Sequence, residues 1–219
     1  MTSATTPTPP IGDRTSRSGS RETGGPQGRV FLLRHGQTAL NADGRLRGRL
    51  DPPLDQQGLA EVAALAETFA DRSVLRIGSS PLRRALDTAD AVSSVTGAPV
   101  LAVPGLVDRD YAHWAGMLES EVIRRFGSVD AAPGVEPISG VAARVRDVLG
   151  GQLALLYDGD VVLVAHDAVN RALLGDLDAQ FAGGVRQRTA CWNEIRREAG
   201  RWVVVRVDQK TPSSPRPRT

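Results

Sequence analysis

Four apolar runs punctuate the chain: RVFLLRH (29–35), VLRIGSS (74–80), PVLAVPGL (99–106) and DVVLVAH (160–166). Their near-continuous apolar character predicts parallel strands covered on both faces. Between them, apolar positions recur at helical spacing. LAEVAALAETFA (59–70) places Leu59, Val62, Ala63, Ala66, Phe69 and Ala70 on one stripe, with Asp55 as the N-cap. SSPLRRALDTADAV (79–92) predicts a helix capped by Ser80, with Pro81 at its first position and Leu82, Ala85, Leu86, Ala89 and Val92 facing inward. A further helix is predicted from Ile138 to Tyr157, and ACWNEIRREAGRWVVVRVD (190–208) reads as a hairpin turning near Gly200. Strands alternating with helices predict an α/β fold: a three-layer α/β/α sandwich with a mostly parallel central sheet and an antiparallel edge.

Charge changes the picture at the ends. The formal net charge is +2, yet residues 30–208 hold 20 basic groups against 23 acidic ones, so the basic excess lies in the two tails. Both tails are rich in Ser, Thr, Pro, Gly and Arg and poor in apolar residues. They are expected to be disordered, residues 1–28 and 209–219, flanking a single domain over 29–208. A few solvated arginines in such tails do not make a nucleic-acid-binding protein. No apolar stretch approaches the roughly 20 residues of a membrane span, and the N-terminus lacks the apolar segment of a signal peptide. The single cysteine, Cys191, excludes an internal disulfide and a cysteine-based zinc site. A cytoplasmic protein is expected.

In a sheet of this kind ligands bind beyond the carboxyl ends of the strands. Arg34 and His35 end the first run and His166 ends the fourth; Arg83 and Arg84 follow the second, Asp108 and Asp110 the third. Two of the chain's three histidines, two arginines and a carboxylate are thus expected at one end of one sheet. Such groups suit phosphoryl transfer through histidine. A neutral imidazole attacks phosphorus and divides a difficult hydrolysis into two easier steps. Nearby arginines keep that imidazole unprotonated and bind the phosphoryl oxygens. Gly36 is expected to let backbone approach the phosphate, and amides near Thr38 to complete an anion nest. Neither metal nor cofactor is required.

These residues carry a family resemblance. RHGQT (34–38), Asn41 and GRLRGRLDPPLDQQG (44–58) resemble the opening of the histidine phosphatase (phosphoglycerate mutase-like) superfamily, branch 1. SSPLRRALDTA is similar to its second motif, with Arg84 at the functional position and Arg83 at a variable one. VVLVAHDAVNRALL resembles its third, carrying His166. LVDRDYAHWAGM is similar to the proton-donor segment, and EPISGVAARV to the stretch in which a glutamate, Glu136, precedes an arginine, Arg144, by eight. The resemblance implies that His35 is the phosphorylated nucleophile and that Arg34, Arg84 and His166 form the phosphate pocket. Asn41, with Gln37 and Thr38, is implied as a supporting contact, and Glu136 as a residue ordering the pocket from behind.

The chain departs from the pattern at the donor. Family members usually have glutamate where this chain has Asp108, and often glycine where it has Ala112. Asp167 follows His166 where branch 1 commonly has glycine; that His-Asp pair resembles the second branch, whose donor is the aspartate after the second histidine. Asp108 is the expected donor, with Asp167 the alternative. Arg47 stands where the family often has glutamine and is expected to meet a second acidic group on the substrate. The implied activity is metal-independent hydrolysis of a small phosphomonoester. The other readings are a phosphoglycerate mutase, disfavoured by the short 58-position step from Asp108 to His166, and a phospho-ligand binding module without turnover. Oligomeric state is left open.

Overall fold

The structure is a computed structural model that describes residues 28–152, 155 and 158–211. Six strands form one sheet in the order β3-β2-β4-β1-β5-β6: β1 Arg29–Arg34, β2 Val74–Ser79, β3 Val100–Ala102, β4 Asp160–Ala165, β5 Trp192–Glu198 and β6 Arg201–Gln209. β1 and β4 pair in parallel at the centre, β2 and β3 extend the parallel part, and β5 runs antiparallel to both β1 and β6. The expected three-layer α/β sandwich is the architecture observed.

The continuous apolar runs have a direct structural cause. Side chains alternate across a strand, and both faces of this sheet are covered. Phe31 and Leu33 of β1, with Val162 and Val164 of β4, pack with α2 (Gln56–Glu67) and α3 (Arg83–Thr96). Val30 and Leu32, with Val161, Leu163 and Ala165, pack with α5 (Ile138–Gly150) and α6 (Asp167–Leu177). A short helix, α1 (Ala39–Ala42), follows β1, and α4 (Glu119–Phe126) lies in the long connection between β3 and α5. A third cluster, built on Leu46, Tyr111, Trp114 and Val122, joins that connection to the segment after α1.

Asp55 caps α2 as expected, its side chain accepting from the Gly58 amide at 2.7 Å. The buried stripe of α2 is rotated from the expected one. Val62, Leu65, Ala66 and Phe69 face the core, while Leu59 is 56% exposed and Ala63 and Ala70 are exposed. The rotation follows from Gly58 and Gly36, where helix and strand-end loop meet. A Cβ at Gly58 would lie 2.1 Å from the Gln37 carbonyl, and one at Gly36 2.7 Å from the Gly58 carbonyl. Close approach of backbone to backbone, invisible to an apolar-periodicity count, sets which side of α2 faces inward.

α3 begins at Arg83 with Leu82 as its N-cap position and no side-chain cap, so Ser80 is not the cap that its residue type suggested. The third strand is only three residues long, because Pro104 opens a 3-10 turn over Pro104–Leu106. α5 ends at Gly150, short of the expected Tyr157. The hairpin turns at Ala199 and Gly200, as expected. β6 continues to Gln209, and Lys210 pairs with Glu61 at 2.8 Å, both beyond the boundary drawn at 208. The tails assigned to residues 1–28 and 209–219 lie outside the described residues except for Gly28 and 209–211. Among the described residues no helix is long and apolar enough to cross a membrane.

Candidate active site

The carboxyl ends of β1, β2 and β4 bring the strand-end residues together. His35 and His166 are buried, their ring centroids 5.1 Å apart. The His35 Nδ1 lies 2.6 Å from the Gly36 carbonyl, which can only accept, so Nδ1 carries the proton and Nε2 keeps its lone pair. That Nε2 accepts from Arg84 Nε at 3.2 Å.

Arg84 is fully buried at the start of α3, and four acceptors hold its guanidinium. Besides His35, they are the carbonyls of Leu50 (2.6 Å) and Gly48 (2.9 Å) and Oδ2 of Asp108 (3.0 Å). Asp108 is 2% exposed; its Oδ1 accepts from the Arg109 amide at 2.9 Å, and its Oδ2 lies 3.8 Å from His166 Nδ1. The His166 Nε2 sits 2.8 Å from Ser80 Oγ, and its Nδ1 is buried with no hydrogen-bond partner among the described residues. Arg34 donates to the Gln187 carbonyl and lies 3.8 Å from Asp167, and its Nε is likewise buried without a partner. Both are buried polar atoms whose hydrogen-bonding capacity is unmet, which is uncommon in a protein interior.

Burial, more than any other cause, holds both imidazoles well below the usual histidine range. The Arg84 and Arg34 charges add to this at His35, and Arg84 and His35 at His166. Burial raises the Asp108 carboxyl, against the opposing pull of Arg84 and Arg47. His35 is therefore a neutral imidazole at neutral pH and below, and the Asp108 carboxyl across Arg84 from it is biased toward its protonated form.

These shifts have a consequence for stability. The unfolded chain takes up histidine protons near pH 6.5, while the folded chain refuses them until much lower pH. Stability is therefore complete above 6.5 and falls as pH drops below it, by up to about 1.4 kcal/mol per pH unit for each of the two histidines. Asp108 acts in the opposite sense, because its raised pKa gives the folded state the extra proton and softens the loss. Urea midpoints at pH 7.5 and 5.5 are expected to show the decline in wild type and a shallower one in His35→Ala. Equal slopes would mean that His35 is not buried neutral.

Several expected site residues lie behind the pocket. Glu136 accepts from Arg144 Nε at 3.1 Å and from the Asp110 amide at 3.0 Å, while Arg144 donates to the carbonyls of Gly105 and Val107, both at 2.7 Å. The pair thus braces the segment that carries Asp108. Asn41 accepts from the amide (3.1 Å) and hydroxyl (2.8 Å) of Thr38, and Thr38 caps α1. Gln37 donates from its side chain to Asp55 at 3.2 Å and from its amide to Glu61 at 3.1 Å. The amides of residues 36–38 therefore form no free anion nest, since Gly36 N also donates to Thr88 at 3.2 Å. Gly36 lacks a side chain because α2 packs on it, not because a phosphate approaches it.

Asp167 is the first residue of α6, a favourable place for an acid, and its carboxylate lies between Arg34 (3.8 Å) and Arg171 (3.6 Å). Arg83 is an exposed partner of Asp87. Ala112 adopts φ 51°, the left-handed region that glycine tolerates best, at the position where the family resemblance expects glycine. Sequence reasoning missed Ser80 as the partner of His166, and Gln187 as the partner of Arg34. The first was visible only as a cap residue; the second lies 153 positions away and carried no signal.

A cleft of about 360 Å³ opens beside these residues, lined by Arg47, Tyr111, Asp167 and residues of α4 among others. A larger cavity of about 550 Å³ lies at the opposite end of the sheet, among Arg29, Arg72 and Asp160, and holds none of the strand-end residues.

Comparison with known proteins bears on this arrangement. Residues 30–210 match the family described as histidine phosphatase superfamily (branch 1). The chain is 37% identical over 174 residues to a glucosyl-3-phosphoglycerate phosphatase of Mycolicibacterium vanbaalenii, a match covering 67% of this chain and 74% of the relative. It is 29% identical over 189 residues to a metal-independent phosphoserine phosphatase of Arabidopsis thaliana, covering 80% and 79% respectively. Among solved structures, a mycobacterial glucosyl-3-phosphoglycerate phosphatase complexed with VO3 superimposes with a TM-score of 0.75 at 30% identity, covering 82% of this chain and 98% of that one.

Proposed function

The chain belongs to branch 1 of the histidine phosphatase superfamily, and we propose that this phosphatase hydrolyses a small phosphomonoester through a phosphohistidine formed on His35. One observation carries the reading: the proton of His35 is held on Nδ1 by the Gly36 carbonyl, leaving the Nε2 lone pair facing the buried Arg84 guanidinium.

When a phosphoryl group enters, Arg84 turns its Nε and Nη2 donors from His35 and Asp108 to the phosphoryl oxygens, joined by Arg34 and His166. Charge-assisted hydrogen bonds of this kind strengthen as charge shifts in the transition state. Release from Arg84, together with the arriving negative charge, raises the Asp108 carboxyl further and lets it hold a proton. The His35 Nε2 attacks phosphorus, the bond from phosphorus to the leaving oxygen breaks, and Asp108 protonates that oxygen. Water then attacks the phosphohistidine, Asp108 takes its proton, and inorganic phosphate leaves with His35 restored. Glu136 and Arg144 hold the Asp108 segment in place throughout.

The substrates that the relatives are named for, a glucosylated phosphoglycerate and phosphoserine, make a small phosphorylated metabolite with a carboxylate the leading candidate. We place the protein in the cytoplasm, a setting with which its single, buried cysteine is compatible. The test is phosphate release from a panel of phosphomonoesters in excess chelator. Release at a rate unchanged by chelation is expected. Activity that vanishes with chelator would overturn metal independence, and phosphoryl movement between hydroxyls without free phosphate would turn the reading into a mutase.

A further inference from the structure

Arg47, Arg109 and Arg171 all line the cleft beside the strand-end residues, and they differ in one respect. Arg109 is paired with Asp130, and Arg171 with Asp167 at 3.6 Å. Arg47 has no carboxylate within 4 Å among the described residues, although it is half-buried. Its Nη1 donates to the Arg45 carbonyl at 2.9 Å, and its Nε is buried without a hydrogen-bond partner. A partly desolvated cation with an unsatisfied donor is costly unless an anion meets it. The edge formed by Nε and Nη2 has the fork geometry that matches the two oxygens of a carboxylate.

The phosphoryl group has its own arginines, Arg34 and Arg84, on the floor of the pocket. Arg47 lines the cleft, which neither Arg34 nor Arg84 does, and we place the leaving group in that cleft. We propose that Arg47 binds a carboxylate on the leaving group, so that the substrate is a phosphorylated hydroxy acid rather than a phosphorylated alcohol. This rests on the phosphatase reading and narrows it. Leu46, Tyr111, Ile123 and Phe181 of the same cleft supply apolar surface for the carbon skeleton. The charge of Arg47 also reaches His35 and His166, helping to hold both rings neutral, so removing it affects the phosphoryl step as well. A binding comparison between matched ligands separates the two effects.

The matched ligands are 3-phosphoglycerate and glycerol 1-phosphate, which share a phosphate ester on a three-carbon skeleton and differ in a carboxylate against a hydroxymethyl group. Calorimetry on His35→Ala, which removes the nucleophile, is expected to show 3-phosphoglycerate binding at least about tenfold more tightly, the range of a charge-assisted hydrogen bond. In His35→Ala/Arg47→Gln the two ligands are expected to bind within about twofold of each other. Arg47→Lys in the same background, which keeps the charge and loses the fork, is expected to recover only part of the preference. A preference that survives Arg47→Gln, or that is missing before it, overturns the assignment. Equal weakening of both ligands would instead give Arg47 to the phosphoryl group, and failure of 3-phosphoglycerate to bind would also overturn the proposal. Phosphate release by the wild-type enzyme tests the underlying phosphatase reading separately.

Discussion

His35→Ala is expected to lower phosphate release by about four orders of magnitude or more, with the protein still folded. The expectation follows from the covalent route: without Nε2 there is no first acceptor for the phosphoryl group, and electrostatic stabilisation by the remaining arginines cannot replace a bond. The side chain makes two hydrogen bonds, from Nδ1 to the Gly36 carbonyl and from Arg84 Nε to its Nε2, and the Arg84 guanidinium keeps three other acceptors when the second is lost. Removal of the ring also relieves the cost of burying an imidazole between guanidinium groups. Circular dichroism melting of the variant controls for folding, and rapid quench of the wild type with labelled substrate should trap an acid-labile, base-stable phosphoenzyme. Release above about one per cent of wild type in the folded variant would remove His35 from the nucleophile's role.

Asp108→Asn is expected to cost about two to three orders of magnitude in turnover on alkyl phosphates, within the usual range for loss of a general acid. The loss should shrink on p-nitrophenyl phosphate, whose leaving group departs without a proton. Asp167→Asn is expected to cost less than about tenfold on either. Geometry separates the two carboxylates. Asp108 is 2% exposed, 3.0 Å from Arg84 and 3.8 Å from His166, with its pKa raised by burial. Asp167 is partly exposed and lies between Arg34 and Arg171 at the start of α6. A larger loss in Asp167→Asn, selective for poor leaving groups, would exchange their roles.

Much of this site was legible in the chain because the strand-end rule converts linear order into spatial convergence. Arg34 and His35 follow an apolar run buried on both faces, and so does His166, so parallel pairing of β1 with β4 had to bring them together. What remained illegible shares a physical character. The stripe of α2 is set by glycine contacts between backbones at Gly36 and Gly58, which carry no apolar signal. Ser80 has the composition of a cap but hydrogen-bonds His166, because the chain turns after β2 before α3 begins. The anion nest expected at residues 36–38 is filled internally by Thr88, Glu61 and Asn41, side chains from three different elements.

By itself the sequence determined the layering of the fold, the direction of its central strands, and the end of the sheet at which Arg34, His35, Arg84, Asp108 and His166 gather. Those properties follow from periodicity and from local residue chemistry, which act over a few positions and survive in any fold with this pattern. Only the tertiary structure decided which nitrogen of His35 keeps its lone pair, that Arg84 bridges His35 to Asp108, and that Arg47, among the described residues, has no carboxylate within 4 Å while Arg109 and Arg171 in the same cleft each have one. Each of these depends on distances between groups far apart in the chain. Proton position, ionisation and unpaired charge are set by burial and by neighbours within a few ångströms, and packing alone brings such neighbours together.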